Sequence, residues 1–268
     1  MGKRTASGAL FVVLTVACIW FSAFSFLLIF GVFMIGALFE YYKLNDLKDS
    51  PQYILGILMG LALYVLSACA LTGVLDFKYL LFIILPFIFS VLAATFSSAK
   101  TPYVDFAKMT AGLVYACFPF IALQYVGLNA GTGAYDSFPV LLFMVTVWCT
   151  DTFAYLSGKF MGRNLLAKSI SPGKTWEGTL GGVIGSLLVV VGASQLFTDR
   201  YLMDLLVIWF AGSALAVVGD LSESKLKRSV KVKDSGSFMP GHGGFLDRFD
   251  SLLLSAPFLM VYFLLVKA

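Results

Sequence analysis

Ser224-Lys-Leu-Lys-Arg-Ser-Val-Lys-Val-Lys-Asp-Ser-Gly-Ser-Phe-Met-Pro-Gly-His-Gly-Gly-Phe-Leu-Asp-Arg-Phe-Asp250 is an island of charge between two apolar runs, 205–221 and 251–266. Each run approaches the roughly 20 residues a helix needs to cross a bilayer. The island is therefore a loop between two membrane spans, and that reading decides the fold. Lys225, Lys227, Arg228, Lys231 and Lys233 fall within nine residues. A basic loop alone would follow from the bias of cytoplasmic loops toward Lys and Arg. That bias does not account for the only histidine, His242, set between glycines, nor for Asp247 and Asp250 entering an apolar helix. Cations, small flexible residues and carboxylates together suit a metal-dependent phosphate site.

The rest of the chain is consistent with lipid as its main solvent. Of 268 residues, 59% are hydrophobic and 13% charged, against about 25% charged in a soluble domain. The mean hydropathy is +0.90. The expected fold is all-α, a polytopic integral membrane protein. Its net charge of +4 bears on which side each loop faces and implies no nucleic-acid partner. Cys18, Cys69, Cys117 and Cys149 lie singly in apolar runs without metal-ligand spacing, so they read as packing residues.

Residues 8–39 are too long for one span and too apolar throughout for a cleaved leader, so they split into a hairpin near Trp20–Ser25. Further spans are expected at 52–71, 79–96, 109–125 (kinked at Pro119), 138–156, 180–197, 205–221 and 251–266. With these nine spans, only Lys78, Arg200 and Lys267 face away from the N-terminal side, leaving 16 of the 19 Lys and Arg on it. The expectation is a cytoplasmic N-terminus, in the cell's inner (plasma) membrane. Residues 1–136 form an N-terminal helical region, and 137–268 carry the site. Gly182, Gly185, Ser186 and Gly192 permit close helix contact, within one chain or in a homodimer.

If the 205–221 helix continues, Asp220, Glu223, Ser224, Lys227 and Lys231 share one face. Helix capping explains one of Asp247 and Asp250 but not both, with Arg248 between them. Asp151 lies within an expected span, at about 2.5–3.5 kcal/mol if central. A structural pair with Lys159 explains it as well as a site role does. Ser171-Pro-Gly-Lys-Thr resembles a phosphate loop in composition but lacks its spacing. Lys174 and Thr175 remain candidate phosphate ligands, and Glu177 reads as a first-turn acid.

Ser224-x-Leu226-Lys-Arg228, Lys233-Asp234-x-Gly236 and Pro240-Gly-His-Gly-Gly-Phe245-x-Asp-Arg-Phe-Asp250 resemble the signature of the phosphatidate cytidylyltransferases (CDP-diacylglycerol synthases). Asp151-Thr-x-Ala-Tyr155 and the segment ending at Gly178 are also similar to that family. The resemblance covers the C-terminal half. It implies a nucleotidyltransferase of phospholipid biosynthesis that makes CDP-diacylglycerol and pyrophosphate from CTP and the membrane lipid phosphatidate, with Mg²⁺. Whether a second cation joins stays open. Asp220 and Asp247 are expected to hold the metal, with Asp250 in support. Lys227, Arg228, Lys233 and Arg248 are expected on phosphates, and Ser224, His242, Lys174, Thr175 and Asp151 around the substrates. The alternatives are a CTP-dependent polyprenol or phytol kinase and a transporter. The completeness of the 224–250 pattern speaks against the first, and the clustering of charge at one membrane face against the second.

Overall fold

The first helix break is made by two serines. Ser22 takes an extended backbone (φ −166°, ψ 162°) between α1 (Gly2–Phe21) and α2 (Ala23–Leu44). Its hydroxyl accepts the Ser25 N–H at 3.1 Å, and the Ser25 hydroxyl accepts the Ser22 N–H at 3.1 Å. This reciprocal cap satisfies orphan donors inside an apolar stretch and places the hairpin where the sequence puts it. The computed structural model describes residues 2–129, 134–196, 202–236 and 243–267.

Pro51 opens α3 (Pro51–Leu71). A 3₁₀ stretch (Phe77–Ile83) leads into α4 (Ile84–Thr95). The next span begins earlier than expected. The polar residues before Met109 are helical, because Pro102 starts α5 (Pro102–Gly112) with a backbone angle already suited to a first turn. A π turn, Leu113–Cys117, joins α5 to α6 (Phe118–Gly127). It lies just before Pro119, whose missing N–H the widened turn accommodates.

Strand β1 (Leu128–Asn129) pairs antiparallel with β2 (Ala134–Tyr135) before α7 (Ser137–Met161). The expected loop 158–178 is mostly ordered structure. It holds a hairpin of β3 (Leu165–Ala167) and β4 (Ser171–Thr175), and α8 (Trp176–Leu196) begins four residues before the expected Leu180. Then come α9 (Leu202–Phe210), a second π turn (Ala211–Leu215) and α10 (Ala216–Ser229). The helix does run past Leu221, carrying Asp220, Glu223, Ser224 and Lys227. It stops before Lys231, which has a positive φ of 60° and is not on that face. A one-turn α11 (Leu246–Phe249) and α12 (Leu252–Lys267) complete the chain.

Among the described residues, seven helical stretches are long and apolar enough to cross a membrane, and shorter apolar helices cover Ser7–Phe21 and Leu252–Val266. The core is built on phenylalanine. The Phe249 ring of α11 lies 4.9 Å from Phe33 of α2 and 5.2 Å from Phe120 of α6. Helices from both ends of the chain thus share one core.

Helices α7 and α8 pack through glycines. A Cβ on Gly182 would stand 2.6 Å from the Thr150 carbonyl oxygen, and one on Gly185 would stand 2.6 Å from Phe153 Cγ. Gly192 faces open space. Gly182 and Gly185 are therefore used within the chain, and Gly192 is not. Gly182→Val should destabilise the protein by about 1–3 kcal/mol, the usual cost of overpacking. Gly192→Val should lower the melting temperature in detergent far less.

Candidate active site

The β3–β4 hairpin brings a lysine to α10. Glu177, in the first turn of α8, accepts the N–H of Arg163 at 3.0 Å, the N–H of Asn164 at 3.1 Å and the Asn164 side-chain amide at 2.7 Å. It clasps the base of the hairpin and is more than a first-turn acid. The Thr175 hydroxyl accepts the Gly178 N–H at 3.1 Å and so caps α8. Between them Lys174 Nζ donates to Asp220 Oδ2. The other Asp220 oxygen accepts the Ser224 hydroxyl at 3.2 Å, one helical turn on.

A second cluster is buried. Lys227 Nζ lies 2.5 Å from Glu223 Oε2 on its own helix and 2.5 Å from Asp247 Oδ1 on α11. Lys227 is 8% exposed and Glu223 not at all. The second oxygen of Asp247 accepts the Gly244 N–H at 2.7 Å, the Ser235 N–H at 2.9 Å and the Ser235 hydroxyl at 3.0 Å. Burial opposes ionisation of Asp247. The Lys227 ammonium and the two backbone N–H groups outweigh it and hold this carboxyl below the usual range. Asp250 is the reverse case. Burial, then the like charges of Asp220, Glu223 and Asp151, raise its carboxyl well above the usual range.

Two cavities meet here. One, of about 400 Å³, is lined by Asp151, Asp220, Asp247, Arg248 and Asp250, with an apolar flank that includes Phe11 and Trp148. The other, of about 350 Å³, is lined by Asp151, Tyr155, Lys159, Lys174 and Thr175. Asp151 lines both, and the Lys174–Asp220 pair joins one wall to the other. The helix α7 thus presents its polar end to the site.

The remaining expected residues sit apart. Arg228 is exposed, and its guanidinium donates to the carbonyls of Val232 at 3.0 Å and Ile170 at 3.5 Å, tying α10 to the hairpin. Lys233 is exposed and lines neither cavity. His242 lies outside the described residues. Sequence reasoning missed Glu40 on α2. Its Oε2 accepts the Ser235 hydroxyl at 2.8 Å and the Leu246 N–H at 2.9 Å. The only available signal was a lone acid at the end of an apolar run.

Paired cations and carboxylates around two adjoining cavities are suited to gathering phosphates. A phosphatidate cytidylyltransferase of Haemophilus influenzae is 40% identical over 134 residues, 48% of this chain and 46% of that protein. One from Staphylococcus epidermidis is 32% identical over 234 residues, covering 77% of this chain and 90% of its own. One from Rickettsia felis is 32% identical over 219 residues, covering 79% and 92%. The model of the Cytidylyltransferase family matches residues 2–266, so the chain belongs to that family.

Proposed function

We propose that the chain is a phosphatidate cytidylyltransferase, joining CTP to phosphatidate with release of pyrophosphate where β4, α7, α10 and α11 meet. The observation that carries this reading is the Lys174–Asp220 pair between two cavities, one basic and one acidic with an apolar flank. A phosphate oxygen of phosphatidate attacks the α-phosphorus of CTP, and the bond to the bridging oxygen of the β-phosphate breaks. The attacking phosphate needs no strong base, because its second pKa is about 6. What the chain must do is bring two anions together. Lys159 and Lys174 receive the triphosphate in the basic cavity. Arg248 meets the lipid phosphate in the other, with acyl chains leaving along Phe11 and Trp148. When a phosphate takes Lys174, Asp220 is released. Lys227 acts from behind, holding Asp247 in place.

The donor set fits Mg²⁺. Asp151, Asp220, Asp247, Asp250 and Glu223 face Lys159, Lys174, Lys227 and Arg248, an excess of one carboxylate. Among the described residues no three metal-ligating side chains form a ready-made cage. Mg²⁺ is usually held by one or two carboxylates and completed by substrate phosphates. The sequence suggests Asp220 and Asp247 with Asp250 in support. We infer instead that Asp220 and Asp250 would hold it with Asp247 in support, since Asp247 is tied to the buried Lys227 and to two backbone N–H groups, whereas the partly exposed Lys174 on Asp220 can yield to a phosphate. A bound Mg²⁺ would neutralise triphosphate charge and orient it. The charge distribution supports a cytoplasmic N-terminus and an active end facing the cytosol from the inner membrane. Gly182 and Gly185 of α8 are spent on α7, and the reading needs no dimer through them.

Asp220→Asn keeps size and hydrogen bonding but loses charge. It should lose nearly all pyrophosphate release from CTP and phosphatidate, and raise the Mg²⁺ half-saturation point of what remains. Wild-type turnover with an unchanged half-saturation point would remove Asp220 from the metal site. Lys227→Ala should be the more destabilising of the basic-residue variants, by about 3–5 kcal/mol, because it strands two buried carboxylates. Arg228→Ala, at an exposed position, should stay folded by comparison in the same melting assay. In a cysteine-free background, Lys231→Cys should resist an impermeant reagent added to intact cells and react after lysis. Labelling from outside would invert the topology.

A further inference from the structure

Glu40 belongs to the N-terminal region yet touches the signature loop at both of its ends. The two hydrogen bonds span 195 and 206 positions of sequence. One oxygen, Oε2, gathers the Ser235 hydroxyl and the Leu246 N–H, so α2 holds the loop's entry and the residue before Asp247. Ser235 is 5% exposed and stands between two carboxylates, since Asp247 Oδ2 accepts from the same hydroxyl. One hydroxyl proton serves one acceptor at a time. The Ser235 and Gly244 N–H groups remain on Asp247, and the Leu246 N–H remains on Glu40.

The loop lies close against Glu40. A Cβ on Gly236 would stand 2.6 Å from Glu40 Cδ. One turn earlier on α2, a Cβ on Gly36 would stand 2.6 Å from Phe245 Cγ, so that glycine lets the phenyl ring lie against the helix. The same helix packs Phe33 on Phe249. Phe245, Leu246 and Phe249 bracket Asp247 and Arg248, and all three are placed by α2.

We infer that Glu40 is a positioning residue of the transfer site, clamping both ends of the Ser235–Leu246 loop to α2 and so setting where Asp247 and Arg248 stand. The inference rests on the reaction proposed above. Glu40 touches no cavity-lining carboxylate directly and acts through Ser235 and the Leu246 peptide. It makes α2 part of the active end as well as a membrane span.

The test is a variant series on the full chain in detergent or nanodiscs, reading kcat, KM for CTP and melting temperature. Glu40→Ala should lower kcat on the order of 100-fold, the scale of loss from a misplacement of about 1 Å, with a smaller change in KM. Glu40→Gln keeps an acceptor oxygen for both donors and should retain most of the turnover. Ser235→Ala should cost less than Glu40→Ala, and the double variant should lose no more than Glu40→Ala alone, because the residues act as one unit. A Glu40→Ala kcat near wild type overturns the clamp. So does a loss that only tracks the loss of folded protein, or Glu40→Gln failing as badly as Glu40→Ala. A wild-type chain that releases no pyrophosphate from CTP and phosphatidate overturns the reaction instead. The clamp then stands or falls on limited trypsin cleavage after Lys233, which Glu40→Ala should accelerate and which an unchanged rate would refute.

Discussion

One lysine held between two carboxylates, nearly out of reach of water, sets the arrangement of the active end. Lys227 Nζ touches Glu223 on its own helix and Asp247 on another. A buried charge costs several kcal/mol unless paired, and removing one member costs more than the pair gained. Helix α10 and the one-turn α11 therefore cannot drift apart without stranding a charge. The chain between them must fold back, and its glycines allow the backbone to approach carboxylates closely. Gly243, with a φ of +83°, turns the loop where a side chain would be strained, and a Cβ there would also crowd Asp247. The Gly244 N–H then reaches the Asp247 oxygen that Lys227 leaves.

The direction in which α10 presents its charges depends on an irregularity upstream. The π turn at Ala211–Leu215 adds a residue to the helical count, which rotates everything after it by about 100° relative to a regular helix. Asp220, Glu223 and Lys227 follow within four turns. Without that residue they would face another side of the bundle. The turn is packed against α7: the Thr150 hydroxyl, which donates to the Thr146 carbonyl at 2.8 Å, lies 3.4 Å from the Gly212 carbonyl, and a Cβ on Gly212 would stand 3.0 Å from Thr146 Cβ. Helix α7 thus supplies Asp151 to the site and also holds the turn that aims α10 at it.

These facts divide what the sequence made legible from what it did not. The spans were readable because apolar runs of membrane length leave little choice, and the break near Ser22 because residues 8–39 are too long for one span. Polarity alone places the helix starts at Pro102 and Trp176 too late, because a helix can begin among polar residues before its apolar span. In fact Thr101-Pro102 is an ordinary helix opening, and the hairpin before α8 is closed by Glu177. The charged cluster was legible as residue types on adjoining segments. The partners were not: Lys174 meets Asp220 across 46 positions, and Glu40 reaches its loop across about 200. No periodicity or spacing encodes contacts of that range. The first arises from the β3–β4 hairpin folding onto α10, and the second from helices of both halves sharing the phenylalanine core around Phe249.

An end of the bundle that must receive two anionic substrates is nonetheless rich in carboxylates, and its ion pairs are of two kinds. Lys174 and Asp220 are 26% and 24% exposed, so water competes for both charges. Pairs near water are worth about 0–1 kcal/mol, so under the proposed reaction a phosphate replaces Asp220 as the partner of Lys174 at little cost. The Glu223–Lys227–Asp247 cluster, at 0%, 11% and 8% side-chain exposure, has no such freedom. Exchange there would leave a buried charge without a partner. In the proposed reaction the pair between the cavities is thus the one that substrate rearranges, and the buried cluster keeps Asp247 and Arg248 in place while it does. Charges of both signs must be present for either role, and burial decides which role each pair takes.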